Sequence, residues 1–97
     1  MSSVEQSRLY AVIEGRVQGV GFRSFVLDRA EELDLTGWVR NTRQGNVEVL
    51  AEGPRFALEE LLTVLKKGPN TAYVTRVKES WTKASGEFRF FGVEYTV

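Results

Sequence analysis

The sequence predicts an α+β fold in which an antiparallel sheet carries two helices on one face. Two observations lead there. Apolar residues recur with a period of two, then of three to four, in the order strand, helix, strand, strand, helix, strand, with one further strand at the end. The chain has 97 residues, which is room for one domain built on one core. Two split β-α-β units in that order make a ferredoxin-like sandwich, βαββαβ plus a C-terminal strand. Residues 1–7 read as a flexible tail and 8–97 as the single domain.

In "RLYAVIE", residues 8–14, Leu9, Ala11 and Ile13 alternate with Tyr10, Val12 and Glu14, and both faces are largely apolar, as in a central strand covered by helices. From Phe22 to Leu33 the residues Phe22, Phe25, Val26, Ala30 and Leu33 recur at three- and four-residue steps, an amphipathic helix. "TGWVRNT" and "NVEVLAE", residues 36–42 and 46–52, are strands joined by "RQGN", a short turn whose glycine suits positive φ. Gly53-Pro54 opens a second helix, with Ala57, Leu58, Leu61, Leu62 and Leu65 as its buried stripe. "KKGP" closes that helix with late cations, a glycine and a proline. A strand over Val74–Trp81, a turn at "KASGE" and the aromatic strand "FRFFGVEYTV" complete the chain.

Composition narrows the chemistry. There is no cysteine and no histidine, which removes disulfides, thiolate metal sites, the usual zinc ligand and the usual general base. No metal or cofactor is expected. Thirteen basic residues balance thirteen acidic ones, so no long-range attraction to nucleic acid or to an anionic membrane is expected. The polar start "MSSVEQSR" lacks the core of a secretion signal, and no apolar run nears the ~20 residues that span a bilayer. The expectation is a cytoplasmic monomer that acts on a small molecule.

The segment with the most chemical content is "EGRVQGVGFR", residues 14–23. It fits neither the Walker pattern, since Phe22 and Arg23 follow Gly21, nor the dinucleotide pattern, since Ser24 stands where a third glycine belongs. Its physics stands without those patterns. A strand feeds a glycine loop that feeds a helix, so backbone N–H groups can converge on an anion with help from the helix dipole. Arg23 in the first helical turn sits at the unfavourable end of that dipole. A bound anion reverses the sign, and a guanidinium can grip two phosphoryl oxygens; the alternative is a pair with Glu14 or another surface carboxylate. Asn41, near the end of the second strand, is either a hairpin residue satisfying its own backbone or an amide that holds a water.

Taken together, these residues resemble the acylphosphatases, which hydrolyse the carboxyl–phosphate anhydride of acyl phosphates. "IEGRVQGVGFR" at 13–23 is similar to the family's first signature and "GWVRNTRQGNVEVLAEG" at 37–53 to its second, with the family's spacing between them. The resemblance runs from about residue 8 to "GP" at 68–69 and loosens after it. It implies that Arg23 binds phosphate, that Gln18, Gly19, Val20, Gly21 and Phe22 form the backbone cradle, and that Asn41 orients the attacking water. It implies supporting places for Gly15 and Thr42. Gln44 departs from the aspartate that many members carry before the turn glycine, at a position of little consequence for the site.

The chemistry suits the composition. An acyl phosphate releases a carboxylate whose conjugate acid has a pKa of ~4, so the leaving group needs little protonation. Positioning and electrostatics then suffice, with the phosphate itself accepting the water's proton and inorganic phosphate as product or inhibitor.

Two rivals are weaker. A phosphate-binding module without turnover, as within larger hydrogenase-maturation proteins, is disfavoured by the lack of a further domain or zinc-finger cysteines. An RNA-binding sandwich would need stacking aromatics on its first and third strands, yet "NVEVLAE" has none and carries Glu48 and Glu52, while Tyr10, Val12, Phe88, Phe90 and Phe91 read as core. Glu31-Glu32 and Glu59-Glu60 read as solvated helix faces. Trp38 and Trp81 read as packing, with a place beside the site as the alternative for Trp38. Beyond the phosphoryl cradle nothing selects an acyl group, so low acyl specificity is expected.

Overall fold

The computed structural model describes residues 5–97. Its elements are β1 (Gln6–Arg16), α1 (Phe22–Glu32), β2 (Thr36–Asn41), β3 (Val47–Pro54), α2 (Arg55–Lys67), β4 (Tyr73–Lys83) and β5 (Phe91–Val93). They form one five-stranded sheet in the order β4-β1-β3-β2-β5 with two helices packed against it. Residues 1–4 of the expected tail lie outside the described residues, whereas Gln6 and Ser7 already pair with Pro54 and Gly53 as part of β1.

The core lies between the helices and one face of the sheet. Leu9, Ala11 and Ile13 of β1 are fully buried, as are Val47, Val49 and Ala51 of β3 and Val39 of β2. Phe22, Val26 and Ala30 of α1 meet them. So does the buried stripe of α2, which consists of Ala57, Leu58, Leu61, Leu62 and Leu65 as the sequence predicts. α1 stops where Asp34 turns left-handed at φ 56° and Leu35 donates its N–H back to Ala30 O at 2.9 Å, burying the Leu35 side chain.

Three details differ from the sequence reading. The helices cover one face of β1 only, so Tyr10 and Val12 stay half-buried on the open face. α2 starts at Arg55, because strand β3 runs on through Pro54, whose ψ of 142° is extended. The last strand is three residues long and pairs parallel with β2, Val39 opposite Val93, in an otherwise antiparallel sheet. The reason is positional. β4 lies at one edge of the sheet, so a strand that follows it and joins the far edge must cross the whole sheet and arrives in the direction of β2.

The open face is held by charge rather than by apolar packing. Arg40 donates to Glu48 at 2.7 Å and Tyr10 to the same carboxylate at 2.6 Å, with the Arg40 guanidinium 4.2 Å from the Trp38 ring centre. Burial and Glu48 together push the Tyr10 hydroxyl up to about 12. At the other end, Glu52 is 4% exposed and accepts from Arg8 Nε (2.6 Å), the Ser85 N–H (2.8 Å) and the Gly86 N–H (3.0 Å). This knot fastens the crossover from β4 to β5 onto the sheet.

Burial alone raises the Glu52 pKa, but the donors from Ser85, Gly86 and Arg8 outweigh it and hold the carboxyl below its usual value. A depressed carboxylate stabilises the fold above its unfolded pKa and loses that contribution as pH falls through the folded one. Glu52→Gln is therefore expected to cost about 2 kcal/mol at pH 7, a Tm drop of about 10 °C for a domain of this size. The gap from wild type should narrow as acidification proceeds below about pH 4. Equal melting temperatures at pH 7 would show that the knot contributes nothing.

Candidate active site

The loop between β1 and α1 takes its shape from glycine. At Gly15 the β1–β4 register shifts by a bulge with φ 128°, and a Cβ there would strike the carbonyl oxygen of Tyr73. Gly19 (φ 73°) and Gly21 (φ 80°) are left-handed on either side of Val20, an alternation that turns successive N–H groups towards one point. Gly21 accepts the first helical bond, from Phe25 N–H at 3.1 Å. No side chain caps this N-terminus and its first turn holds no acidic residue. Among the described residues the first-turn N–H groups thus have no side-chain cap, the condition in which helix N-termini can take an anion.

Two side chains hold the loop in place. The Gln18 amide donates to Thr42 O at 2.8 Å and to Asn46 O at 2.7 Å, clipping the loop onto the β2–β3 hairpin. Thr71 Oγ1 donates to Val20 O at 2.7 Å from the connection between α2 and β4. Val17 and Phe22 are buried in the core on either side of the loop. The loop is thereby tied to two other parts of the fold.

Together these elements enclose a cavity of about 90 Å³ lined by Val17, Gly19, Gly21, Phe22, Arg23, Ser24 and Asn41. That is well below the roughly 300 Å³ at which small-molecule pockets begin, the scale of a compact anion rather than a nucleoside. Asn41 reaches it because it ends β2 on the face of Val39, the helix side. Among the described residues neither the Asn41 amide nor the Arg23 guanidinium has a side-chain hydrogen bond or ion pair. Glu14, the sequence candidate for Arg23, pairs with Lys78 at 3.3 Å instead.

The hairpin does not need Asn41, because Thr42, 6% exposed, closes it. The Thr42 N–H bonds to Asn46 O (2.9 Å) and its Oγ1 accepts from Asn46 N–H (3.1 Å). Gly45 takes the left-handed turn at φ 93°. Of the residues named from sequence, Gly19, Gly21, Phe22, Arg23 and Asn41 meet at the cavity. The Gln18 side chain is committed to the hairpin, and Val20 packs against the core. Gly15 and Thr42 stand behind. Trp38 faces the opposite side of the sheet beneath Arg40, and Trp81 lies under Arg55 at 3.6 Å. Val17 and Ser24 also line the cavity and Thr71 braces the loop, roles that the sequence reading does not assign. Ser24 follows Arg23 directly and was legible in principle, whereas nothing local in the sequence points from Thr71 to Val20.

The acylphosphatase family profile matches residues 9–93. This chain belongs to the acylphosphatase family. An acylphosphatase of Salinibacter ruber is 48% identical over 93 residues, covering 96% of this chain and 98% of that protein. The crystal structure of acylphosphatase from Bacillus subtilis superimposes with a TM-score of 0.89 at 37% identity, covering 92% of this chain and 99% of that one. An acylphosphatase structure from Coxiella burnetii gives 0.88 at 35% identity, with 97% and 100% covered. Acylphosphatases are hydrolases of acid anhydrides, and the fold, the activity and the acyl phosphate substrate class follow for this chain from that membership. Among the described residues no helix is long and apolar enough to cross a membrane.

Proposed function

We propose that the cavity between the glycine loop and Asn41 carries out this hydrolysis by in-line attack of water, without a metal ion. The observation that carries the proposal is that Arg23 and Asn41, from separate elements, line one cavity of phosphoryl size with their polar groups uncommitted. Arg23 and the N–H groups of residues 19–23 neutralise the phosphoryl oxygens, where charge gathers in the transition state. The Asn41 amide fixes the water by accepting a hydrogen bond from it through the carbonyl oxygen and donating one to it through the amino group. The departing carboxylate is stable as an anion, and the phosphoryl oxygens take up the proton that the water loses. Gln18 and Thr42 act as positioning residues, holding the loop and the hairpin at a fixed separation. The proposal takes the enzyme to work as a cytoplasmic monomer, in keeping with its balanced charge.

No lining residue is an aspartate, glutamate, histidine or cysteine, the side chains that titrate or ligate metals near neutral pH. Hydrolysis of benzoyl phosphate is therefore expected to proceed undiminished in EDTA, with kcat varying by less than about twofold between pH ~6 and ~8. Loss of turnover in EDTA, or a steep limb in that range with substrate ionisation excluded, would mean that another group or ion takes part.

A further inference from the structure

Thr71 Oγ1 donates to Val20 O at 2.7 Å, so the carbonyl of the peptide unit between Val20 and Gly21 is held on one side of the glycine loop. We propose that Thr71 is a positioning residue for the reaction, and that its bond fixes this peptide plane so that the Gly21 N–H faces the phosphoryl group. The proposal rests on the reaction assigned above.

Three observations carry it. The first is geometry. The described residues contain no cis peptide, and in a trans unit the C=O and N–H point in opposite directions. A carbonyl aimed at Thr71 therefore aims the Gly21 N–H away from Thr71. The second is topology. Thr71 leads into β4, which lies on one side of β1, whereas Asn41 ends β2, which lies on the other side beyond β3. Away from Thr71 is thus towards Asn41, and Gly21 lines the small cavity that Asn41 also lines. The third is availability. The Gly21 N–H has no hydrogen-bond acceptor in the protein among the described residues.

Without that bond the orientation is weakly set. Glycine reaches φ of either sign with similar ease, so Gly21 permits the reversed plane, in which a carbonyl would face the phosphoryl oxygens and repel them. The helix does not forbid the reversal. An N-cap residue ordinarily has extended backbone, and Gly21 departs from that with φ 80° and ψ 18°. The Val20 side chain packs against the core and anchors that residue, but the plane beyond it is left to turn. Thr71 itself is held more firmly. Tyr73, two residues on, pairs with Arg16 at the end of β1, and the Ala72 N–H closes a turn onto Pro69 O at 2.9 Å. That turn starts beside Gly68, where a Cβ would come within 3.0 Å of the Phe22 ring. The donor is thus fixed to the sheet and to the first residue of α1, and the acceptor is the part that it steadies.

The test compares wild type, Thr71→Val and Thr71→Ser well below their melting temperatures, by kcat/KM for benzoyl phosphate and by inhibition with inorganic phosphate. Valine keeps the shape of threonine and loses the donor; serine keeps the donor. In Thr71→Val phosphate inhibition is expected to weaken by about three- to tenfold, the span that one hydrogen bond sets on the share of loops in the binding orientation. Its kcat/KM should fall at least as far, and Thr71→Ser should restore both. Amide NMR supplies a readout that a merely structural brace would not move. The Gly21 amide signal should shift when phosphate saturates wild type or Thr71→Ser, and shift less in Thr71→Val. Unchanged phosphate inhibition in folded Thr71→Val, a serine variant as impaired as the valine one, or a wild-type Gly21 amide indifferent to phosphate would each overturn the inference while leaving the reaction intact. Absence of benzoyl phosphate hydrolysis by wild type would remove the reaction, and the inference with it.

Discussion

Replacing Arg23 by alanine is expected to lower kcat/KM for a simple acyl phosphate by ~10² to 10³, the loss that follows removal of a fixed donor to developing negative charge. The melting temperature should stay level or rise slightly. Both expectations come from the same placement. Arg23 lies in the first turn of α1 with no protein partner among the described residues, where a cation opposes the helix dipole by about 0.3 to 1 kcal/mol. Removing it relieves the fold and disables the site. Arg23→Lys should recover little, since an ammonium is a point charge without the guanidinium's two-pronged geometry. Kinetics and thermal melts on the same samples check this. An inactive variant that also melts early would assign Arg23 to the scaffold, and one with near-normal kcat/KM would remove it from the site.

The second large effect is expected at Asn41. Its amide makes no hydrogen bond to the protein among the described residues, and Thr42 already closes the hairpin. Asn41→Ala should therefore leave stability within about 0.5 kcal/mol of wild type. If the amide places the attacking water, kcat should fall by at least ~10², because a nucleophile held in line becomes one that must arrive by chance. Inhibition by inorganic phosphate should change by less than about threefold, since Arg23 and the loop remain. The diagnostic result is this division: kcat lost, phosphate affinity kept. Equal loss of both would mean that Asn41 holds the phosphoryl group itself.

Sequence periodicity located the elements wherever neighbouring residues decide the outcome. The stripe Ala57, Leu58, Leu61, Leu62 and Leu65 is buried as read, and the turn at Gly45 has the positive φ its residue type implies. Arg23 could be singled out because its oddity, a cation in a first helical turn, is local. What escaped was non-local. No pattern within "FRFFGVEYTV" says that only Phe91–Val93 pairs, or that it pairs parallel to β2. That depends on which sheet edge is vacant. The apolar look of Tyr10 and Val12 suggested a strand covered on both faces, yet cross-strand charge and hydrogen bonding hold the open face instead. The family resemblance places the Gln18 backbone in the loop, but the use of its side-chain amide depends on carbonyls in a hairpin distant in sequence. From sequence Tyr95 reads as one more aromatic of a strand, whereas β5 ends at Val93 and leaves Tyr95 exposed.

The order of strands sets how firmly each part of the site is held. β1 has eleven residues and a partner on each side, and the glycine loop hangs from its end. β5 has three residues, one partner and the outermost place in the sheet. Strands of the first kind come apart only when the whole molecule unfolds, and strands of the second kind open on their own at lower cost. The glycine loop is thus tied to the last part of the molecule to yield, and the segment beside Arg23 that follows β5 to one of the first. Local opening at β5 is therefore expected to leave the glycine loop in its folded place.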